Sequence, residues 1–337
     1  MAACKAKSRR SCGPAAAAAL ALAGLAGCGP GAPPAAAPHK AYVSDELLNV
    51  LHVIDGATAR ETGRIATGRR PRGMALSHDG RQLYVAAGND DRIDVVDLAS
   101  GRVAGALPSG PDPERFAVSP DGTRLYVANE EDSQVSFVDI PTRRIVARVR
   151  VGGEPEGMAV SPDGRWVICT SEAASLVHFI DARTAELVDS VLVGTRPRDA
   201  KFTPDGRQLW VTSEARATVA VLDPRTRKVI HTIDLEEARP PENVQAVGLA
   251  MTRDGGRVYV ALGRGNAVAE IDPKSFKVLR YDKAGFRDWG VALSPDETRL
   301  YAANGLSGNV SVIDARSGRT IATVQTGGRP WGVITTP

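Results

Sequence analysis

The sequence predicts an all-β fold: a seven-bladed β-propeller of four-stranded antiparallel blades, closed by one blade shared between N- and C-terminal strands. Three observations carry this prediction. A short apolar run begins at Tyr42, Tyr84, Tyr126, Ile168 and Trp210, each 42 residues after the last, and again at Tyr259 and Tyr301 after steps of 49 and 42. A repeat of about 40–50 residues rich in strands and turns is the signature of one blade per repeat. A Ser-Pro-Asp-Gly turn recurs in related forms at 77–80, 119–122, 161–164, 203–206, 252–255 and 294–297. It is absent at both ends of the repeat region, where the chain opens on a second strand at Tyr42 and closes on Trp331-Gly332-Val333-Ile334-Thr335, which matches a first strand. Joining those ends removes two exposed sheet edges.

One repeat shows the elements in order. Residues 156–160 form a short strand. Ser161-Pro162-Asp163-Gly164 then reverses the chain, because Pro presets φ, Asp can bond the backbone and Gly accepts positive φ. Residues 165–170 make the second strand, Leu176–Asp181 the third and Glu186–Leu192 the fourth. The third strand ends in a recurrent Asp, at 55, 97, 139, 181, 223, 272 and 314. Its place before a tight turn fits local backbone bonding rather than a metal site.

The first 40 residues are of another kind. Lys5, Lys7, Arg9 and Arg10 precede an Ala/Leu-rich stretch at 15–26, the pattern of an export signal. Leu25-Ala26-Gly27-Cys28 resembles the bacterial lipobox, which implies lipidation at Cys28 and a signal peptide over 1–28. Residues 29–40 form a Pro/Ala/Gly-rich tether, and 41–337 the propeller. The expected location is the periplasm, lipid-anchored to the membrane. Cleavage after Ala37 is the alternative and would give a soluble periplasmic protein. Of four cysteines only Cys169 lies in the propeller, within an apolar run, so no internal disulfide is available to it. The 42 basic and 39 acidic residues give +3, but the four basic residues of the signal account for the excess. The propeller therefore has no basic balance that would suggest nucleic acid as a partner.

Tyr126-Val127-Ala128-Asn129, the Val-Asp strand, the Gly-x-x-Pro loop and Ser-Pro-Asp-Gly resemble the YVTN family of seven-bladed propellers over 41–337. Residues 304–314, the closing 328–332 and the opening 41–46 resemble the subgroup associated with PQQ-dependent alcohol catabolism. That resemblance implies a partnership with a periplasmic quinoprotein dehydrogenase or a transport component, with no demonstrated activity. It also implies that the loop entering each innermost strand and the loop between second and third strands share one face.

Aligned on that face, one residue per blade precedes the innermost strand: Arg72, Glu114, Glu156, Arg198, Val247, Trp289 and Trp331. The second loop adds Glu46, Glu130, Glu172 and Glu214 at one repeat position. The ring breaks chemical symmetry where the scaffold keeps it, which marks the channel mouth as a candidate ligand or partner site. Indoles offer flat contact, and paired arginines suit carboxylate or phosphate. The plain alternative is that Arg72 and Arg198 pair with Glu114, Glu156 or the loop glutamates. Each loop glutamate, taken singly, reads slightly better as a solvated turn residue. The repeat with seven extra residues, 235–243, is either a partner-contacting loop or a tolerated insertion.

No C-x-x-C-H, H-E-x-x-H or G-x-S-x-G occurs, and His39, His52, His78, His178 and His231 do not converge in the repeat alignment. The mouth carboxylates suit a cation such as Ca²⁺, but their spacing does not require one, so no cofactor is expected. The reading is a non-catalytic binding or scaffold protein. The alternative is a lactonase-type hydrolase using carboxylates and a divalent cation on the same face, since related propellers include lactone hydrolases.

Overall fold

The computed structural model describes residues 38–237 and 240–336. The expected signal peptide, Cys28 and most of the expected tether lie outside the described residues, as do two residues of the insertion. The described chain folds into seven four-stranded antiparallel sheets. Blades 1 to 4 begin at Pro71, Pro113, Pro155 and Pro197, blade 5 at Leu249 and blade 6 at Asp288. Each runs outward strand by strand in chain order. Blade 7 is the exception: the innermost strand Pro330–Thr336 pairs with Lys40–Asp45, followed by Val50–Asp55 and Arg60–Ala66. Val43 faces Val333 and Tyr42 faces Ile334 in that register, so the predicted closure is present.

The turns form for the reasons the sequence offers. In blade 3 the Ser161 hydroxyl donates to Asp163 at 2.5 Å and accepts the Trp166 N–H at 2.8 Å, while Gly164 sits at φ +73°. The recurrent Asp does the same at the outer hairpin, where Asp181 Oδ1 accepts the N–H groups of Arg183 and Thr184 at 2.9 and 3.0 Å. These are turn bonds, as the spacing indicated.

The core lies between blades. Tyr126 packs edge-on to Phe137 at 4.7 Å, with Met158, Val167 and Cys169 of the next blade closing the same cluster. Cys169 is a fully buried core residue, and burial pushes its thiol pKa up. The innermost strands crowd round the axis. A Cβ added at Gly157 would stand 2.7 Å from the Arg198 carbonyl of the next blade, and one at Gly248 2.5 Å from that of Trp289. Glycine at this strand position is thus a packing requirement.

Two sequence boundaries shift. The ring residues lie inside the innermost strands, as the second residue of Pro71–Leu76 and its equivalents, and not just before them. In blade 5 this strand shortens to Leu249–Met251, so Val247 precedes it. The preceding insertion has both ends built into the core: Leu235, Val244 and Ala246 are buried in one cluster, and the Leu235 carbonyl accepts the Tyr281 hydroxyl at 2.7 Å.

Candidate functional site at the propeller axis

Because each innermost strand starts on the same face, its second residue projects toward a shared ring, and the loops between second and third strands reach over it. The structure brings the predicted residues together, mostly as partners of one another. Arg72 bonds Glu114 at 2.5 Å and Glu46 at 3.0 Å. Arg198 lies 3.3 Å from Glu156 and 3.6 Å from Glu214, and also bonds Glu172. Four cations absent from the sequence-level site join them. Arg70 pairs with Glu114 at 2.9 Å and with Asp112. Arg196 pairs with Glu172 at 2.5 Å, and Arg287 with Glu214 at 2.9 Å. Arg115 lies 3.9 Å from Glu156. The indoles are covered by the same cations: Arg72 and Arg115 lie over Trp331 at 5.4 and 4.6 Å, and Arg198 and Arg287 over Trp289 at 5.3 and 3.9 Å. Val247 contributes only its backbone, its carbonyl accepting the Thr212 hydroxyl at 2.7 Å.

Much of this ring is buried. Glu114, Trp331, Glu156 and Arg198 are 0, 1, 3 and 6 % exposed. Glu172 and Glu214 are buried as well, whereas Arg72, Trp289, Glu46 and Glu130 keep partial exposure. The simpler pairing of Arg72 and Arg198 with neighbouring glutamates is therefore realised.

The ring's protonation follows from this crowding. Burial opposes the Glu114 carboxylate, but Arg72 and Arg70 outweigh it and hold the group at about 2. Burial, reinforced by the hydrogen bond and charge of Glu114, pushes Glu130 up to about 8. Burial also lifts Glu156 to about 7, against Arg198 and with help from Glu114 and Glu172. Near neutral pH the Glu130 proton is retained, and Glu114 and Glu130 form a carboxylate–carboxylic acid pair.

Carboxylate oxygens of Asp112, Glu114 and Glu130 lie within 4.8 Å of one another. Two guanidiniums already meet that charge, because Arg70 and Arg72 both bond Glu114.

Beneath the ring the axis opens into a cavity of about 520 Å³. Its upper end is formed by Arg72 and Trp331, and it extends to Arg253, Ser294, Pro295 and Glu297 in the hairpin turns of the opposite face. The accessible space on the axis thus lies below the ring. Three charged residues line it that the sequence reading passed over: Arg115, Asp199 and Lys201. The signal was available. At the third strand position five blades carry Gly73, Gly157, Gly248, Gly290 and Gly332, while two carry Arg115 and Asp199. At the fifth position the others carry Ala75, Ala117, Ala159, Ala250, Ala292 and Ile334, against Lys201.

Comparison with known proteins agrees on the fold. Residues 114–201 match the model of the cytochrome D1 heme domain, and residues 182–326 that of the lactonase seven-bladed β-propeller. Neither match spans half of the chain, and no curated protein matches. The only histidine of the first stretch, His178, is buried inside blade 3, accepting the Gly152 N–H at 3.0 Å and bonding Ser171 and Ser190. No histidine lines the axial cavity, so the described residues do not offer a haem iron an imidazole there. Among solved structures, Kuenenia stuttgartiensis hydrazine synthase is similar with a TM-score of 0.72 and 23 % identity, covering 81 % of this chain and 91 % of that one. A Lactobacillus plantarum protein gives 0.76 and 16 %, covering 89 % and 100 %. A functionally unknown Desulfotomaculum acetoxidans protein gives 0.74 and 17 %, covering 88 % and 98 %. At these identities the likeness is one of architecture: the chain is a seven-bladed, all-β propeller with matches to lactonase-type and cytochrome D1-type propeller models.

Proposed function

We propose that this chain is an exported, non-catalytic propeller of the YVTN type that docks a partner protein on its mouth face, as an accessory of PQQ-dependent alcohol oxidation. One observation carries the docking reading: the charged groups of the mouth bond one another, while large apolar side chains stand free on the surrounding loops. Phe286 and Leu306 are 63 and 65 % exposed, and their backbones are joined by the Leu306 N–H to Phe286 carbonyl bond at 3.0 Å. Leu47 and Leu48 are exposed on a loop of the same face. Apolar surface beside a charged rim is the ordinary composition of a protein–protein interface. The partner class, a periplasmic quinoprotein dehydrogenase or transport component, rests on the resemblance of 41–46, 304–314 and 328–332. The periplasmic, membrane-anchored location rests on the Cys28 lipobox. Native protein captured from cells grown on an alcohol should bring the dehydrogenase with it. Phe286→Asp with Leu306→Asp should reduce that capture at least about tenfold without shifting the melting temperature. Undiminished capture by the double variant would remove the docking face.

A second reading, a lactonase-type hydrolase, is favoured by the acidic trio Asp112, Glu114 and Glu130 together with the lactonase match. It requires a divalent cation to displace Arg70 and Arg72 from Glu114. Cation-dependent opening of a simple γ-lactone, lost in Glu130→Gln, would establish it over the docking-only reading.

A further inference from the structure

We propose that the axial cavity below the ring is a binding site for a small organic monocarboxylate with an apolar body, held by Lys201, Arg115 and the Trp331 indole N–H. The site is separate from the docking face: it opens at the opposite end of the propeller.

Unmet donors point to the ligand. Trp331 Nε1 is buried and has no hydrogen-bond partner among the described residues, and Arg115 Nε makes no hydrogen bond either, its ion-pair contact with Glu156 Oε1 being 3.9 Å long. Both residues border the cavity. A buried donor left unpaired is costly, so the Trp331 N–H beside this cavity calls for an acceptor. Lys201 lines the same space, and its ammonium makes no hydrogen bond or ion pair with the described residues. Its side chain is accessible within the cavity yet enclosed by protein, and that enclosure lowers its pKa, with Asp199 opposing and Arg115 assisting.

The charge count sets the ligand's charge. Asp199 is committed: Oδ2 accepts the Leu249 N–H at 3.0 Å and Arg115 Nη1 at 3.4 Å, and Oδ1 accepts the Ala200 N–H at 2.9 Å. Arg72 is neutralised by Glu46 and Glu114 above, and Arg253 faces Glu297 at 3.9 Å at the lower end. Arg115 is met by Asp199 and by Glu156 at 3.9 Å, so Lys201 is the cation of the cavity with no ion pair among the described residues. A single carboxylate satisfies it. A phosphate or dicarboxylate would set further negative charge beside Asp199.

The remaining wall fixes the body of the ligand. Met74, Phe116, Met158, Leu249, Val291 and Val333 line it, one from each of six blades. About 520 Å³ lies in the usual range of small-molecule sites. Departures from the repeat add weight. Glycine is the packing solution at the third position and alanine the usual residue at the fifth, and Arg115, Asp199 and Lys201 depart from both on strands that line this cavity.

The test is titration of the intact propeller with benzoate and hexanoate at pH 7, read by calorimetry and tryptophan fluorescence. Benzyl alcohol and inorganic phosphate serve as controls. The expected result is saturable binding of at least one carboxylate, with benzyl alcohol and phosphate each at least about tenfold weaker. Lys201→Ala restores the residue that five of the other six blades carry, so it should fold with an unchanged melting temperature and weaken carboxylate binding at least about tenfold. Arg115→Met should weaken it similarly. Absence of saturable binding by both carboxylates, or equal affinity in Lys201→Ala, would overturn the proposal. Neither outcome bears on Phe286 and Leu306, so this site and the docking face stand or fall separately.

Discussion

At the mouth, Glu114 is held by Arg72 and Arg70, and Arg198 is surrounded by Glu156, Glu172 and Glu214. One residue further along the same strands, Arg115 and Asp199 share a single 3.4 Å contact, and Lys201, two residues beyond Asp199, has no ion-pair partner among the described residues. The two levels are built from the same residue types on the same strands. Their difference is charge pairing: the ring arginines each meet carboxylates above, while below them Lys201 has no ion pair among the described residues. Buried ion pairs contribute little net stability against apolar replacements, but breaking one side is costly. The upper level therefore reads as a structural lock and the lower as a receptor.

The largest perturbation should be removal of what both levels share. Deleting residues 331–337 takes away an innermost strand and the Trp331 indole and exposes the edge at Lys40–Asp45. Loss of cooperative thermal unfolding is expected, and a truncated chain melting like the intact one would show that closure does not hold the ring together. Next in size is the contrast of Arg198→Met with Lys201→Ala. Removing Arg198 leaves three buried or nearly buried carboxylates short of their cation and should cost about 3–5 kcal/mol in urea unfolding. Lys201→Ala should cost no more than about 0.5 kcal/mol. Equal costs would erase the distinction between lock and receptor.

The smallest effect sharpens the upper level alone. Glu130 and Glu156 titrate near 8 and 7 in the folded chain, above an ordinary glutamate, so the native state holds protons that the unfolded state has lost. Stability should then fall as pH rises from about 4.5 and level off above about 8. Glu114, held near 2, acts oppositely, and its contribution disappears as pH drops from about 4.5 toward 2. Glu130→Gln should flatten the slope between pH 4.5 and 8 in chemical denaturation. An unaltered slope would assign the protons to another group.

Much of this was legible from residues alone. Period, turns and closure are local or symmetric properties, so Ser161-Pro162-Asp163-Gly164 and the Trp331 strand announce themselves. The ring membership of Arg72 and Arg198 was legible by position. Their burial was not, because it depends on how far guanidiniums reach across the axis and on cations such as Arg70, Arg196 and Arg287 from neighbouring loops. Arg115, Asp199 and Lys201 were overlooked for a different reason. They break the symmetry one and three residues past the ring position, inside a strand that otherwise reads as plain Gly/Ala scaffold. The insertion at 235–243 was legible as extra length, while its anchoring by Leu235 and Val244 required the packed core.

The closure of blade 7 also sets an order of events. During synthesis every other strand of the propeller emerges before Pro330–Thr336, which must then find Lys40–Asp45 across almost the whole length of the domain. Pairing so distant in sequence is slow to form. Until it does, the nascent domain is an open arc with two unpaired edges, exposed to association with its own kind. Trp331 arrives with that last strand, so the cavity gains its roof and its indole donor only at the final step of assembly. Occupancy of the cavity would report that the circle is complete.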